Sequence, residues 1–418
     1  MRVDANNKFK TQKARSEYID GSVFVASLIL SAFGVLMVFS ITGTSIFNNH
    51  AGDRLSYMTH SVTGVVLGVI AMMIVAFIPN QWYRGKLGYL IIVATAVIFI
   101  ITPFFGRGAY ASPDVRRWLA IGNFVFQAVD LARIGFVLSL AWLIQQLIDN
   151  KRYYSNKLSG PYLIPLAFII FCALTVIMQP DLGSALVIFG MGVIVFLSSG
   201  LAVKQLVFLF LIAGGFVVVL AVFGLYGLIR PYQITRIAAW LTPFEHDNGL
   251  QTAMGFVSIA LGGRFGVGLG HSTQALGFAI EPHTDLIVTI LAEELGFVAV
   301  LVVIILYFWI AWRCFTTAFK ARDVFSALVC IGIGSFFLLQ PFVNLGGASG
   351  IIPLSGVTLP LISYGMTSKL STFVMLGIYF NVRKHVLLTV AQAEIEEEEQ
   401  ALMQEEMMKE KIIKFPTT

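Results

Sequence analysis

The chain has 418 residues, 57% of them hydrophobic and only 12% charged, with a mean hydropathy of +0.83. A soluble globular chain carries about 25% charged residues, so water is not this chain's main solvent. The net charge of +5 is modest and nothing suggests nucleic-acid binding, while Cys172, Cys314 and Cys330, all within or at the ends of apolar runs, read as packing residues and not as a disulfide framework.

Residues 1–20 are polar and basic, with Lys8, Lys10, Lys13 and Arg15, and lead straight into a full-length apolar run with no small-residue cleavage site. The first helix is therefore expected to stay as an anchor. A bilayer core takes about 20 mostly apolar residues per helix, and runs of that kind centre near Leu28, Val69, Ile98, Leu138, Phe168, Val193, Phe216, Val300, Phe336 and Met375. The fourth is interrupted by Gln145 and Gln146, and the last is short between Lys369 and Arg383. The expected fold is an all-α polytopic membrane protein of about ten spans, packed as one bundle because a bilayer forces backbone polar groups to be satisfied within helices. A large extracytoplasmic loop is expected between helices 7 and 8. No internal repeat is evident, which counts against a secondary transporter.

Lys and Arg near span ends collect in cytoplasmic loops. Beyond the N-terminal cluster, Arg84 with Lys86, Lys151 with Arg152, Lys204, Arg313 with Lys320 and Arg383 with Lys384 fall on alternate connections. Both termini are thus expected in the cytoplasm, with residues 1–20 as a basic N-terminus, 21–384 as the membrane domain and 385–418 as a charged tail. The tail holds Glu394, Glu396, Glu397, Glu398, Glu399, Glu405 and Glu406 before Lys409, Lys411 and Lys414, and is expected to be disordered in preference to a solvated helix or a partner-binding segment.

Four longer stretches, about residues 47–60, 105–130, 230–284 and 341–366, then lie outside. Arg107, Arg116, Arg117, Arg230, Arg236 and Arg264 stand there against the positive-inside preference. Two readings stay open for them: an anionic ligand, or interfacial contact with lipid phosphate. The longest stretch contains a helix-like run from Ala253 to Leu261 and the glycines Gly262, Gly263, Gly266, Gly268 and Gly270. These glycines permit either a flexible turn or close backbone approach to something bulky or charged.

The sharpest local feature is EPHTDLIVTILAEELGF at 281–297, a polar cluster leading into a span that carries two further carboxylates. Asp285 is expected at its mouth, with Glu293 and Glu294 roughly 12–13 Å deeper if the segment is helical. Charged groups at such depth are functional candidates. Asp285 and Glu293 would share a cavity wall, and Glu294 would pair with another helix. Spacing alone leaves Asp285 as either a helix N-cap or a general base whose pKa a low-dielectric edge would raise. His283 reads as an interfacial hydrogen-bonding residue, since no second His or Cys lies near it in sequence. Gln179-Pro180-Asp181-Leu182-Gly183 forms a tight hairpin in which Asp181 is expected to cap the sixth span in preference to a substrate role. Arg116 and Arg117, followed by Gln127, Asp130 and Arg133, put cations near the outer surface, where Arg133 can snorkel and paired cations suit pyrophosphate.

Several motifs in order resemble the SEDS family (shape, elongation, division and sporulation) from about residue 20 to 385: RRWLAIGNFVFQ at 116–127, QPDLGSA at 179–185, YQITRIAAWLTP at 232–243, GGRFGVGLG at 262–270, PHTD followed by AEELG, and NLGGASGIIPLSGVTLPLISYG at 344–365. The resemblance implies ten membrane helices, an extracytoplasmic cavity and polymerisation of the lipid-linked disaccharide lipid II onto a growing glycan chain. It implies Asp285 as the essential acid, and Arg116, Arg117, Arg133, Arg236 or Arg264 as the group that meets the departing pyrophosphate. His283, Thr284, Ser363 and Tyr364 fall in its motifs as substrate-side residues, and Gln179, Asp181, Glu293 and Glu294 as cavity or structural residues. It further implies a class B penicillin-binding protein and other divisome or elongasome membrane proteins as partners. No cofactor follows, and a divalent cation is left open. The chain departs from the family where Ala128-Val129-Asp130 and Arg133 replace Pro-Ser-Glu and Lys, where Met366-Thr367 follow Gly365, and where Ala279-Ile280 replace Leu-Pro. GLGHSTQ at 268–274 and the charged tail lean toward the division-type members. A lipid-linked precursor transporter and a non-enzymatic scaffold are the competing readings, the first resting on Glu293 as part of a relay through the midplane.

Overall fold

The computed structural model describes residues 19–42, 51–108, 116–122, 124–150, 160–200, 211, 214–215, 231–245, 249–273 and 284–414. In chain order these form α1 (Gly21–Thr42), α2 (Ala51–Phe77), α3 (Asn80–Arg84), α4 (Lys86–Phe105), β1 (Trp118–Ile121), β2 (Phe124–Gln127), α5 (Ala128–Asp149), α6 (Leu163–Ile177), α7 (Leu182–Leu197), α8 (Pro231–Leu241), α9 (Leu250–Gly262), α10 (Ile287–Lys320), α11 (Val324–Ala348) and α12 (Met366–Lys414). Among the described residues, α1, α2, α4, α5, α10, α11 and α12 are long and apolar enough to cross a membrane, and α6 and α7 are shorter apolar helices. Nine of the ten expected span centres fall in these helices; the tenth, near Phe216, lies outside the described residues. The all-helical expectation meets one exception among the described residues, the antiparallel hairpin β1–β2, in which Trp118 faces Gln127 and Ile121 faces Phe124.

The bundle is apolar on its outside. Val66, Ile70 and Ile74 of α2, Leu90 and Ile100 of α4, and Ile305, Phe308 and Trp312 of α10 are all exposed, a surface that lipid tolerates and water does not. Small and hydroxyl side chains sit inside, as Ser27, Ser31 and Gly34 of α1 do, and let helices approach closely. At Gly34 the approach is extreme, because a Cβ there would run into the backbone of Ile362.

Two polar layers mark the ends. At one end Arg313 Nε donates to Asp20 Oδ2 at 2.7 Å, with Arg383 3.9 Å from the same oxygen. Beside them Arg84 Nη2 donates to Asp323 Oδ1 at 2.6 Å, and His385 lies 3.5 Å from the other oxygen. Burial pushes Asp20 upward, yet the hydrogen bonds from Ser22 and Arg313 and the charge of Arg383 outweigh it and hold the carboxyl below its usual range. Asp323 is held further down, its burial overcome by His385, the Ser326 N–H and Arg84. Residue 19 and the stretch around His385 thus share one end of the bundle.

The opposite end holds the main corrections to the sequence reading. α10 is two helices joined at Gly296, whose φ of 79° and ψ of 177° break the helix. The Gly-rich segment after α9 wraps this break. Val267 N and Gly268 N donate to the carbonyls of Glu293 and Glu294 at 2.9 and 3.0 Å, and Phe297 N donates to Gly263 O at 3.0 Å. At Gly262 and Gly266 the close backbone approach is made to the chain's own residues 292–295. Ser40 Oγ donates to both oxygens of Glu294, at 2.8 and 2.6 Å. Ser40 is two residues from the end of α1, whereas Thr284 is bonded to Ser363, next to the Ile362 that packs on Gly34. Since Gly34 lies about 9 Å further down α1, Asp285 is set deeper than Glu294, the reverse of the expected order. The short helix 287–295 climbs back toward the bundle end.

The last helix also departs from expectation. It begins at Met366, buries Lys369 completely and continues without interruption to Lys414, so the tail expected to be disordered is helical as far as Lys414. Residues 378–414 contain neither Gly nor Pro and are rich in Ala, Leu, Glu, Met and Lys, all good helix formers. Local propensity decided the tail; charge did not.

Candidate functional site

Asp285 lies in the turn before α10. The N-cap of that helix is Leu286, which makes no side-chain capping bond, so capping does not account for Asp285. Its backbone is pinned from two sides. Asn344 Nδ2, on α11, donates to Asp285 O at 3.0 Å and to Val357 O at 2.7 Å. Ser363 Oγ donates to Thr284 O at 2.7 Å and accepts from Leu359 N at 2.8 Å.

The carboxylate meets two arginines at Gly356. A Cβ placed on Gly356 would lie 3.2 Å from Asp285 Oδ2, 3.4 Å from Arg117 Nη1 and 3.4 Å from Arg236 Nη1. Three charged ends therefore converge on a notch that exists because the residue is glycine, and its φ of +73° favours glycine as well.

Arg117 reaches the notch from the chain leading into the hairpin. Arg107 and Trp118 exchange backbone hydrogen bonds of 2.7 and 3.1 Å, and Ala128 N donates to Arg117 O at 3.2 Å. Its guanidinium is then held on two edges: Nη2 donates to Pro180 O at 2.7 Å, and Nε lies 3.5 Å from Asp181 Oδ2. The other oxygen of Asp181 accepts from Ser184 N at 3.1 Å, so the expected cap of α7 is present and the same carboxylate also aims an arginine. Arg236, on α8, donates from Nη1 to Leu354 O at 2.7 Å, and one turn later Trp240 Nε1 donates to Gly350 O at 2.7 Å. The Arg117 and Arg236 guanidinium groups both present N–H donors to the notch, a donor pair that suits a phosphate-like oxyanion.

The other sequence candidates are dispersed. Arg116 is exposed and donates to Phe104 O at 3.3 Å, and Arg264 is exposed on the Gly-rich turn. Arg133 does not snorkel: it is 2% exposed, 3.6 Å from Asp130 Oδ1 and 5.0 Å above the Phe336 ring. The acid and base of the altered 128–133 motif thus pair with each other, with Asp181 close enough to act electrostatically on both. Gln127 ends β2 half-buried, and Gln179 is buried in the turn before Asp181. The Tyr364 ring lies 5.1 Å from that of Tyr57, centroid to centroid, tilted by 54°. His283 lies outside the described residues.

Glu293 does not share a wall with Asp285. It is fully buried and accepts from Ser258 Oγ (3.1 Å), Ser272 Oγ (2.7 Å), Thr273 N (2.8 Å) and Thr273 Oγ1 (2.9 Å). Glu294 does pair with another helix, through Ser40 of α1. Asn344 and Gly356 are the residues that sequence reasoning passed over within the motif at 344–365. Among the described residues around the notch, arginines stand where a divalent cation would need further oxygen donors. Among the described residues no cluster of three His, Cys, Asp or Glu side chains is poised for one either.

The FtsW/RodA/SpoVE family model, described as cell cycle protein, matches residues 21–387. Over 390 residues the chain is 31% identical to a probable peptidoglycan glycosyltransferase FtsW of Thioalkalivibrio sulfidiphilus, covering 92% of this chain and 94% of that one. It is 32% identical over 374 residues to the probable peptidoglycan glycosyltransferase FtsW of Bacillus subtilis, covering 88% and 91%. With the stage V sporulation protein E of the same organism it shares 30% over 366 residues, covering 86% and 96%. Among solved structures, a chain from a peptidoglycan synthase complex that coordinates polymerization and crosslinking superposes with a TM-score of 0.69 at 24% identity, covering 88% of this chain and 98% of that one. The rod shape determining protein RodA of Thermus thermophilus superposes with a TM-score of 0.61 at 23% identity, covering 87% and 96%.

Proposed function

Because the chain belongs to the FtsW/RodA/SpoVE family, we infer that it is a multi-pass membrane glycosyltransferase of cell-wall synthesis, polymerising lipid II into glycan strands with Asp285 as its general base. The observation that carries the assignment of the site is the convergence of Asp285, Arg117 and Arg236 on the Gly356 notch. The Asp285 carboxylate takes the proton from an acceptor sugar hydroxyl as that oxygen bonds to the donor's anomeric carbon. The bond from that carbon to the pyrophosphate oxygen breaks, and polyprenyl pyrophosphate leaves with the electron pair. Arg117 and Arg236, already oriented by Asp181 and by the Leu354 carbonyl, meet the negative charge as it develops.

The positive-inside pattern supports cytoplasmic termini, which sets the Asp285 end on the outer face. The FtsW relatives support a division-type role over elongation. A class B penicillin-binding protein is the proposed partner, cross-linking the glycan that this chain makes, alongside other membrane proteins of the division machinery. The transporter reading loses its support, since Glu293 is caged by hydroxyl and backbone donors near the bundle end and is no midplane relay.

The test is to purify the protein with its transpeptidase partner, supply lipid II and resolve the glycan polymer formed. Wild type is expected to give polymer and Asp285→Ala none. Polymer from the variant at the wild-type rate would remove the proposed base, and no polymer from either would turn the reading toward transport or scaffolding.

A further inference from the structure

Resting on that reading of Asp285 as the base, we propose that Asn344 is the positioning residue that sets the carboxylate against the Gly356 notch. A primary amide nitrogen has two hydrogens, and Asn344 spends both on the site: one on Asp285 O at 3.0 Å, the other on Val357 O at 2.7 Å. Val357 follows the notch glycine directly, so one rigid planar group fixes the spacing between the segment bearing the base and the segment bearing the notch. Its acceptor, Oδ1, is buried with no hydrogen-bond partner, and the residue is 3% exposed.

A buried amide oxygen without a partner carries a desolvation cost, one that Gln340 Oε1 shares, so the orphan oxygen alone does not mark Asn344 out. What Asn344 supplies is its pair of donors. One turn earlier on α11, Gln340 Nε2 donates to Thr358 O at 2.8 Å, holding the same loop without touching Asp285. That neighbour separates the two roles, since loop packing is common to both amides and contact with the base segment belongs to Asn344.

Positioning predicts a loss in the chemical step, because a displacement of about 1 Å costs about 100-fold in rate. Lipid II polymerisation is measured for Asn344→Ala, Asn344→Ser, Gln340→Ala and Asp285→Ala in complex with the transpeptidase partner. Asn344→Ala is expected to lose about 10-fold or more in kcat with KM within about twofold, since the arginines are untouched. Asn344→Ser, which keeps one donor, is expected to recover part of that loss, and Gln340→Ala to lose far less. Wild-type kcat in folded Asn344→Ala overturns the proposal. So does an equal loss in Gln340→Ala, a rise confined to KM, or failure of both Asn344 variants to fold, which would make the residue a staple of the bundle. Activity in Asp285→Ala would strike the underlying reading instead, whereas an inactive Asp285→Ala beside an unimpaired Asn344→Ala strikes this inference alone.

Discussion

Gly356 meets the strictest demand of any single residue in the site. A side chain at its φ of +73° costs about 1–2 kcal/mol, and a methyl there would enter the space shared by Asp285, Arg117 and Arg236. Gly356→Ala is expected to fold with modestly reduced thermal stability and to lose about tenfold or more of its polymerising rate. Unfolding in detergent and polymer yield measure the two effects separately, and a folded, fully active variant would take the notch out of the mechanism. Asp181 allows a similar division, because Asn caps a helix as well as Asp does. Asp181→Asn should keep the α7 cap and lose its hold on Arg117, so activity falls while stability stays near wild type. Asp181→Ala should lose both, at an added cost of about 1 kcal/mol. Both arginines of the notch stood out in the sequence as outward cations, but their selection from five did not. Arg116 and Arg117 precede β1 in extended chain, where successive side chains point to opposite sides. A string of letters does not say which of the two faces inward.

At the scale of elements, α10 shows how hydropathy misleads. Its 34 residues read as one long apolar run, and only Gly296 after two glutamates marks the break. Periodicity is blind to a chain reversal, and the depth order of Asp285 and Glu294 was inverted for that reason. Gly296→Ala would combine a left-handed φ with a collision against the Arg264 carbonyl. It is expected to destabilise the protein by more than about 2 kcal/mol, seen as a lower unfolding temperature. Wild-type stability in this variant would mean that the break tolerates a Cβ. The tail failed for the opposite reason: its charge suggested disorder, while its residues are individually good helix formers. Truncation after Lys384 is expected to remove helical circular-dichroism signal equivalent to about 30 residues. An unchanged signal would show that segment to be non-helical in solution.

Across the whole molecule, membrane class, helical architecture and family were legible because they are written in composition and in motifs spread along the chain. The ion pairs at the end opposite Asp285 were not, since they join Asp20 to Arg313 and Arg84 to Asp323 over long separations. They carry a pH dependence of definite sign. Asp323 is depressed in the folded protein, so its stabilisation is complete above the unfolded carboxyl pKa of about 3.9 and fades only as pH falls toward the folded value. Asp323→Asn keeps the cap to Ser326 and removes the charge. The gap in unfolding temperature between it and wild type is expected to be as large at pH 5 as at pH 7, and to close below about pH 4. A gap already closing at pH 6 would show that another group controls it.

The notch draws one residue each from the approach to β1, α8, the turn before α10 and the loop after α11, with Asp181 from between α6 and α7 steadying the first. No contiguous fragment holds even half of these pieces close together in sequence. During synthesis Gly356 must be delivered before the two cations and the acid have a common centre. A chain cut short of Gly356 is therefore expected to lack the notch and, with it, the proposed activity.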